Sequence, residues 1–228
     1  MLLLAAAVAP SAALLYYFYT RDKYEREPRL LLLKSFLMGG GLVIPVLFVE
    51  LTLNIFDIAE GNLLAAGYTA FVVAGLSEES FKFLFFFLYI WKNREFNEMY
   101  DGIVYAVFIS LGFATVENLA YVLQTGFDTA FIRSLTAVPA HALFAVVMGY
   151  YLGIAKFAKL QYRRKYIWLG FMSPVILHGI YDFILLSQKF YLLVLFIPYM
   201  IYLWKRGLGH VDELLEYSPF RDNEDSRE

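Results

Sequence analysis

Residues 63–91 read LLAAGYTAFVVAGLSEESFKFLFFFLYIW, a run that carries charge only at Glu78, Glu79 and Lys82. About 20 predominantly apolar residues are needed to cross a hydrocarbon core that is ~30 Å thick. An ionised side chain near the centre of the bilayer costs about 3 kcal/mol on insertion scales. The stretch therefore predicts a transmembrane helix, and its clustered charges indicate that the middle of this helix has a functional role.

The composition of the whole chain is that of a membrane protein. Of its 228 residues, 60% are hydrophobic and 19% are aromatic, and the mean hydropathy is +0.57. A soluble domain is closer to half apolar. The chain contains no cysteine, which excludes disulfides, thiolate catalysis and therefore the cysteine proteases.

The hydropathy pattern predicts an all-α polytopic membrane protein, a bundle of about seven transmembrane helices. The predicted helices cover residues 2–19, 35–57, 64–90, 102–124, 131–155, 166–187 and 190–204. We assign residues 1–204 to one transmembrane domain and residues 205–228 to a cytoplasmic tail. The pair Gly149 and Gly153 is expected to allow close contact between two helix backbones.

The distribution of basic residues predicts the orientation in the membrane. Residues 20–34 contain five Lys or Arg, residues 91–101 two, residues 156–165 five and the tail four, whereas the intervening segments contain at most one each. Basic residues are enriched on the cytoplasmic side. The N-terminus is thus expected outside the membrane and the C-terminus in the cytoplasm.

Four further ionisable residues lie in predicted spans: Glu117, His141, His178 and Asp182. At about 1.5 Å per residue, all of them fall between the middle of the membrane and the outer leaflet. Residues four apart share a helix face, so Glu78 is expected to pair with Lys82 and His178 with Asp182. Each pair alone has a structural interpretation as a helix-packing contact. Their shared depth instead indicates one polar site that opens to the extracytoplasmic side.

Two other charged residues are given structural roles. Arg133 is expected at the outer membrane interface. Asp101 precedes the predicted fourth helix and is expected to be its N-cap.

The order of these motifs resembles that of the PrsW family of intramembrane proteases. The matching residues are Glu-Glu-x-x-Lys at 78–82, Phe-x-x-x-Glu at 113–117, Pro-x-His at 139–141 and His-x-x-x-Asp at 178–182. Further similarity, including Tyr-Asp-Gly-Ile-Val-Tyr at 100–105, extends over most of the chain. The family is distantly related to the CAAX prenyl endopeptidases and the Abi proteins, whose motifs differ at Glu117 and Asp182.

The resemblance implies a bacterial site-1 protease in the cell (plasma) membrane. Such an enzyme cuts a single-pass anti-sigma factor on its extracytoplasmic side, and a site-2 protease then cuts the same substrate to release the sigma factor. The partners implied are this substrate, the site-2 protease and the lipid bilayer, with no nucleic acid. Carried over to this sequence, the catalytic residues are Glu78, Glu79, Glu117, His141 and His178, with Lys82 and Asp182 in support.

Two mechanisms are compatible with these residues. In the favoured one, which needs no cofactor, Glu78 or Glu79 takes a proton from water, and the two histidines stabilise the oxyanion or the leaving amine. In the alternative, His141, His178 and Glu117 bind zinc and leave a position open for water. The sequence contains no His-Glu-x-x-His motif that would decide between them.

Functions of other classes also use intramembrane carboxylates and histidines. A proton-coupled small transporter would use them as a proton relay, and a binding scaffold similar to an immunity protein would use them as a recognition site. The sequence shows no inverted repeat of the kind that many transporters contain. Substrate cleavage that depends on Glu78 or Glu79 would distinguish the protease from both.

Overall fold

The computed structural model describes residues 2–54 and 62–221, which are largely helical and contain no β-strand within those ranges. In chain order the α-helices are α1 (Leu2–Arg21), α2 (Arg29–Gly41), α3 (Val43–Leu53), α4 (Leu63–Tyr68), α5 (Ser77–Phe85), α6 (Met99–Thr125), α7 (Phe127–Leu135), α8 (Ala137–Phe157), α9 (Leu160–Leu186), α10 (Phe190–Leu193) and α11 (Phe196–Glu216). Two π-helical segments, Thr69–Leu76 and Phe86–Ile90, flank α5. They join α4 and α5 into one continuous helical rod.

The prediction of an all-α polytopic membrane protein is confirmed. Six helical segments of the described chain are long and apolar enough to cross a membrane: Leu3–Arg21, Arg29–Leu53, Met99–Thr125, Phe127–Phe157, Leu160–Leu186 and Phe190–Glu216. The rod from Leu63 to Ile90, which contains the three charges, is a further long helical segment at the predicted position of the third span. Residues 55–57, the predicted end of the second helix, lie outside the described residues, as do the last seven residues of the predicted tail.

Two helix ends differ from the predictions. Helix α6 begins at Met99, so its N-cap is Glu98, and Asp101 is the third helical residue of a capping box. The prediction that Asp101 is the N-cap was therefore wrong by three positions. Helix α11 continues to Glu216 beyond the predicted end at residue 204, because one face of this extension, including Val211 and Leu214, is buried against the bundle.

Helices α6 and α8 form the centre of the bundle and are buried over most of their length. They cross at glycines, where a Cβ added to Gly149 would overlap the backbone of Gly102, and one added to Gly153 would overlap that of Met99. The predicted close approach at Gly149 and Gly153 is confirmed. Because the two backbones are in direct contact, side chains further along α6 and α8 are held in a fixed relation.

This crossing predicts a large stability effect. Gly149→Val should lower the free energy of unfolding by about 3 kcal/mol, since overpacking against backbone cannot be relieved by a side-chain rotation. The measurement is the thermal unfolding midpoint of the purified protein in detergent. Gly209→Ala is the matched control, because a Cβ at Gly209 meets nothing within 4 Å. An equal midpoint for the two variants would contradict the close crossing.

Candidate active site

The three charges of α5 form one buried ion cluster. The Lys82 ammonium donates to Glu78 Oε2 at 3.0 Å and to Glu79 Oε1 at 2.8 Å. The exposed fraction of the side chain is 1% for Lys82, 7% for Glu78 and 0% for Glu79. The predicted pairing of Glu78 with Lys82 is thus observed, and Glu79 shares the same ammonium from one turn away.

The backbone before α5 is distorted where α9 packs against it. The π-helical segment Thr69–Leu76 ends immediately before the cluster, and π-helical turns are frequent at functional sites. A Cβ at Gly179 of α9 would overlap the Phe71 ring, and one at Gly75 would lie 3.1 Å from the Val175 carbonyl oxygen. These two glycines let α9 approach closely enough to bring its histidine to the carboxylates of α5.

His178 of α9 is held between two carboxylates. Its Nδ1 lies 3.0 Å from Glu79 Oε1, and its Nε2 lies 3.3 Å from Asp182 Oδ2. The Phe144 ring stacks on the imidazole with a centroid distance of 5.0 Å. An ionised carboxylate only accepts hydrogen bonds, so both ring nitrogens must donate, and this geometry is satisfied by the imidazolium form.

His141 of α8 has different partners. Its Nδ1 lies 3.2 Å from the Lys82 Nζ, and its Nε2 lies 2.9 Å from Glu117 Oε2. An ammonium only donates and a carboxylate only accepts. His141 is therefore satisfied as the neutral tautomer with its hydrogen on Nε2. The two histidine rings face each other edge to face at 5.2 Å.

Arg133 of α7 completes this side of the cluster, which the sequence analysis did not foresee. Its Nη2 lies 3.1 Å from Glu117 Oε2, and its Nε donates to Asn118 Oδ1 at 3.0 Å. The guanidinium also lies 4.1 Å from the centre of the Tyr121 ring. The interfacial position of Arg133 stays a prediction; its contact with Glu117 is an addition, which arises because α7 folds back over the end of α6. No spacing in the sequence connects Arg133 to Glu117.

The structure thus brings all seven predicted site residues together. Glu50 of α3 is half-buried near these seven residues and interacts electrostatically with Glu78 and Glu117. The two ion pairs predicted from helical spacing both form, whereas the contacts between helices had no signal in the sequence.

The donors that a metal ion would use are present. One ligand atom from each of Glu78, Glu79, His141 and His178 lies within 4.8 Å of the others. The second oxygen of Glu79 is buried and has no hydrogen-bond partner in the described part of the chain. Imidazole and carboxylate are common zinc ligands. The donor types fit zinc, but the Lys82 ammonium lies at hydrogen-bond distance from three of these four residues.

Glu117, which the sequence predicted as a zinc ligand, contacts the other ring nitrogen of His141. Its carboxylate lies on Nε2 of His141, whereas Nδ1 is the nitrogen that faces Lys82. In this arrangement Glu117 orients the imidazole and lies outside the group of four converging donors.

Buried carboxylates, an ammonium and two histidines lie together among candidate membrane spans, an arrangement that an intramembrane hydrolase can use. Comparison with known proteins gives the family. The model of the "PrsW family intramembrane metalloprotease" matches residues 27–203. The chain belongs to the PrsW family and is a membrane protease.

Proteins named Protease PrsW are similar over most of the chain. The protein from Geobacillus kaustophilus (strain HTA426) is 44% identical over 88% of this chain and 86% of its own length. The protein from Bacillus subtilis (strain 168) is 40% identical over 83% of this chain and 85% of its own length, and that from Clostridioides difficile (strain 630) is 38% identical over 87% and 85%. No solved structure matches the chain.

Proposed function

We propose that this protease makes the site-1 cut in a single-pass anti-sigma factor, with Glu78 as the base that activates water. The observation that carries the mechanism is the placement of Glu78, which is buried against an ammonium yet retains an oxygen without a close partner. Glu78 Oε2 accepts from Lys82, whereas Oε1 lies 3.9 Å from His178 Nε2. A gap of this size suits a water molecule that is later replaced by substrate atoms.

Glu79 is better suited to an orienting role. Its Oε1 accepts from both Lys82 and His178, and its side chain is fully buried. These contacts fix the ammonium and the imidazolium on either side of Glu78. This division of roles gives the two adjacent glutamates different expected mutant phenotypes.

The proposed reaction is hydrolysis of a peptide bond. Glu78 takes a proton from water as the water oxygen forms a bond to the carbonyl carbon. His178 Nε2, which faces Glu78 Oε1, would turn its hydrogen bond from Asp182 to the resulting oxyanion. The proton on Glu78 then passes to the leaving nitrogen as the C–N bond breaks. Glu78 returns to its carboxylate form, and no covalent enzyme intermediate is required.

Charge balance within the cluster supports this metal-free mechanism. In the protonation states inferred above, three cations face four carboxylates: Lys82, Arg133 and His178 against Glu78, Glu79, Glu117 and Asp182. Buried charges need compensating partners. Lys82 already places a positive charge at hydrogen-bond distance from Glu78, Glu79 and His141, three of the four residues that would hold a divalent cation.

A zinc-dependent mechanism is the second candidate, and the four converging donors together with the family's description favour it. His141, His178 and the two glutamates would hold the ion once Lys82 has moved away. A bound zinc would supply a Lewis acid and lower the pKa of a coordinated water.

The position of the site supports cleavage on the extracytoplasmic side. Glu117 lies eight residues from the end of α6 and His178 eight residues from the end of α9, which is about 12 Å along either helix. These ends lie opposite the basic segments that we propose to be cytoplasmic. A substrate cut at this depth would be severed near the outer face of a plasma membrane and passed to a site-2 protease.

The test is a cleavage assay in liposomes that contain the protease and a single-pass anti-sigma factor from the same organism. We expect a product cut near the outer face, which mass spectrometry can locate. Glu216→Gln, an exposed substitution on α11, is the control and should retain the wild-type rate. No cleavage, or a cut on the cytoplasmic side, would contradict the proposal.

Arg133 should act on this reaction as a positioning residue. Arg133→Met removes the cation beside Glu117, so His141 loses a fixed orientation, and we expect kcat to fall about 10-fold with little change in KM. Arg133→Lys should recover part of the loss. Arg164→Met, at an exposed position of α9, is the matched control. Wild-type kcat in Arg133→Met would show that the contact is structural only.

A further inference from the structure

A second group of carboxyl side chains lies at the opposite end of the bundle. It is formed by the segment between α1 and α2 and by the start of α6. Asp22, Glu27 and Asp101 are buried there, and Glu25 is half-buried. Asp101 and Glu117 are separated by sixteen residues of α6, or about 24 Å. This group, which we call the inner carboxyl cluster, is therefore distinct from the candidate active site.

Each buried carboxyl of the cluster uses only one of its oxygens. Asp101 Oδ2 accepts from the backbone N–H groups of Asn97 and Glu98, both at 2.8 Å. Glu27 Oε2 accepts from the Tyr105 hydroxyl. The other oxygens are buried and accept from no N–H or O–H donor among the described residues: Asp22 Oδ1, Glu25 Oε2, Glu27 Oε1 and Asp101 Oδ1. A proton on Glu27 would be shared with Asp101, with which it forms a carboxyl pair. Buried polar atoms in native proteins are rarely left without a partner.

Neighbouring basic side chains are engaged elsewhere. Arg21 pairs with Asp212, and Lys156 donates to the Trp91 carbonyl oxygen at 2.5 Å. Lys23 lies over the Tyr24 ring at 4.7 Å. Within the part of the chain that the structure describes, no ion pair joins a Lys or Arg to Glu25, Glu27 or Asp101. The cluster thus offers the carboxyl oxygens of a cation site, and no Lys or Arg of the described chain pairs with its three converging residues.

We propose that the inner carboxyl cluster binds a hard divalent cation, Mg²⁺ or Ca²⁺, through Glu25, Glu27 and Asp101. One oxygen from each of these residues lies within 4.8 Å of the others. Oxygens that share one Ca²⁺ at about 2.4 Å are at most ~4.8 Å apart, a limit that these three meet. The bound ion would tie the segment between α1 and α2 to the start of α6. This site is independent of the proposed proteolytic mechanism.

The competing occupant of the cluster is a proton. Burial raises the pKa of Glu27 from its ordinary value to about 10 and that of Asp22 to about 8. A carboxyl in this environment holds a proton at neutral pH unless a cation replaces it. The test must therefore detect the ion itself rather than infer it from stability alone.

The experiment uses the full-length protein in detergent, freed of metal by chelation and then titrated with Mn²⁺ as a paramagnetic probe. We expect electron paramagnetic resonance to show bound Mn²⁺ that Mg²⁺ or Ca²⁺ displaces. Saturating Mg²⁺ or Ca²⁺ should also raise the thermal unfolding midpoint by about 5 °C. Glu27→Gln and Asp101→Asn should abolish both effects.

Three further variants make the result decisive. Glu25→Gln alters the half-buried ligand, so it should fold and should weaken Mn²⁺ binding about 10-fold even where the buried variants fail to fold. Glu216→Gln, on the exposed face of α11, should leave binding unchanged. Glu78→Gln should do the same, which separates this site from the active site. Absence of bound Mn²⁺ in the wild type, or binding unaffected by Glu25→Gln, would overturn the proposal.

Discussion

Glu78→Gln should lower the rate of substrate cleavage about 10³-fold while leaving the protein folded. The amide is nearly the same size as the carboxylate and can still accept from Lys82, but it cannot take a proton from water. Glu79→Gln should behave differently. It weakens the contacts to Lys82 and His178, so both the cleavage rate and the thermal unfolding midpoint should fall.

The comparison requires initial rates and unfolding midpoints from the same preparations. Glu216→Gln controls for the loss of one carboxylate. The assignment of the base fails if Glu78→Gln retains activity, or if Glu79→Gln is the inactive variant with an unchanged midpoint. In the second case the two glutamates would exchange roles.

Lys82→Met should have the largest combined effect on stability and activity. The substitution leaves Glu78 and Glu79 buried without their shared cation, and breaking a buried ion pair costs about 3–5 kcal/mol. We expect a lower unfolding midpoint and no measurable cleavage. Lys82→Arg, which preserves the charge, should retain more of the stability.

A triple variant separates the two consequences of losing Lys82. Glu78→Gln, Glu79→Gln and Lys82→Met together remove the uncompensated charge, so the midpoint should recover toward that of the wild type. Activity should stay absent, because the base is missing. If Lys82→Met has a wild-type midpoint, the ammonium does not compensate the two carboxylates in the folded protein.

Much of the fold could be predicted from the sequence because membrane helices are recognisable as long apolar segments with little charge. The spans fell close to their predicted positions, and the glycine crossing of α6 and α8 was visible in the pair Gly149 and Gly153. The π-helical turns around α5 were not foreseen; the first packs against α9 and the second against α6, and these tertiary contacts have no signal in the spacing of residues. The extension of α11 was missed because its polar face looked like a solvated tail.

Prediction of the site followed the same division between local and tertiary contacts. Residues four apart on a helix must share a face, so the pairs of Glu78 with Lys82 and His178 with Asp182 could be foreseen. The contact between Glu117 and His141 depends on how two helices pack, and no spacing encodes it. The inner carboxyl cluster was missed because its residues lie in segments that the basic-residue pattern marks as solvent-exposed.

The most direct test of the account is the cleavage rate of protein stripped of zinc and measured in the presence of Mg²⁺. Zinc content would be determined by elemental analysis on the same sample. The added Mg²⁺ keeps the proposed cation site of the inner carboxyl cluster occupied while zinc is absent. A glutamate-activated water predicts the full wild-type rate from protein without zinc, and a rate about 10³-fold lower from Glu78→Gln. Activity that disappears with zinc and returns in proportion to zinc added would contradict the account and move the chemistry to a metal ion.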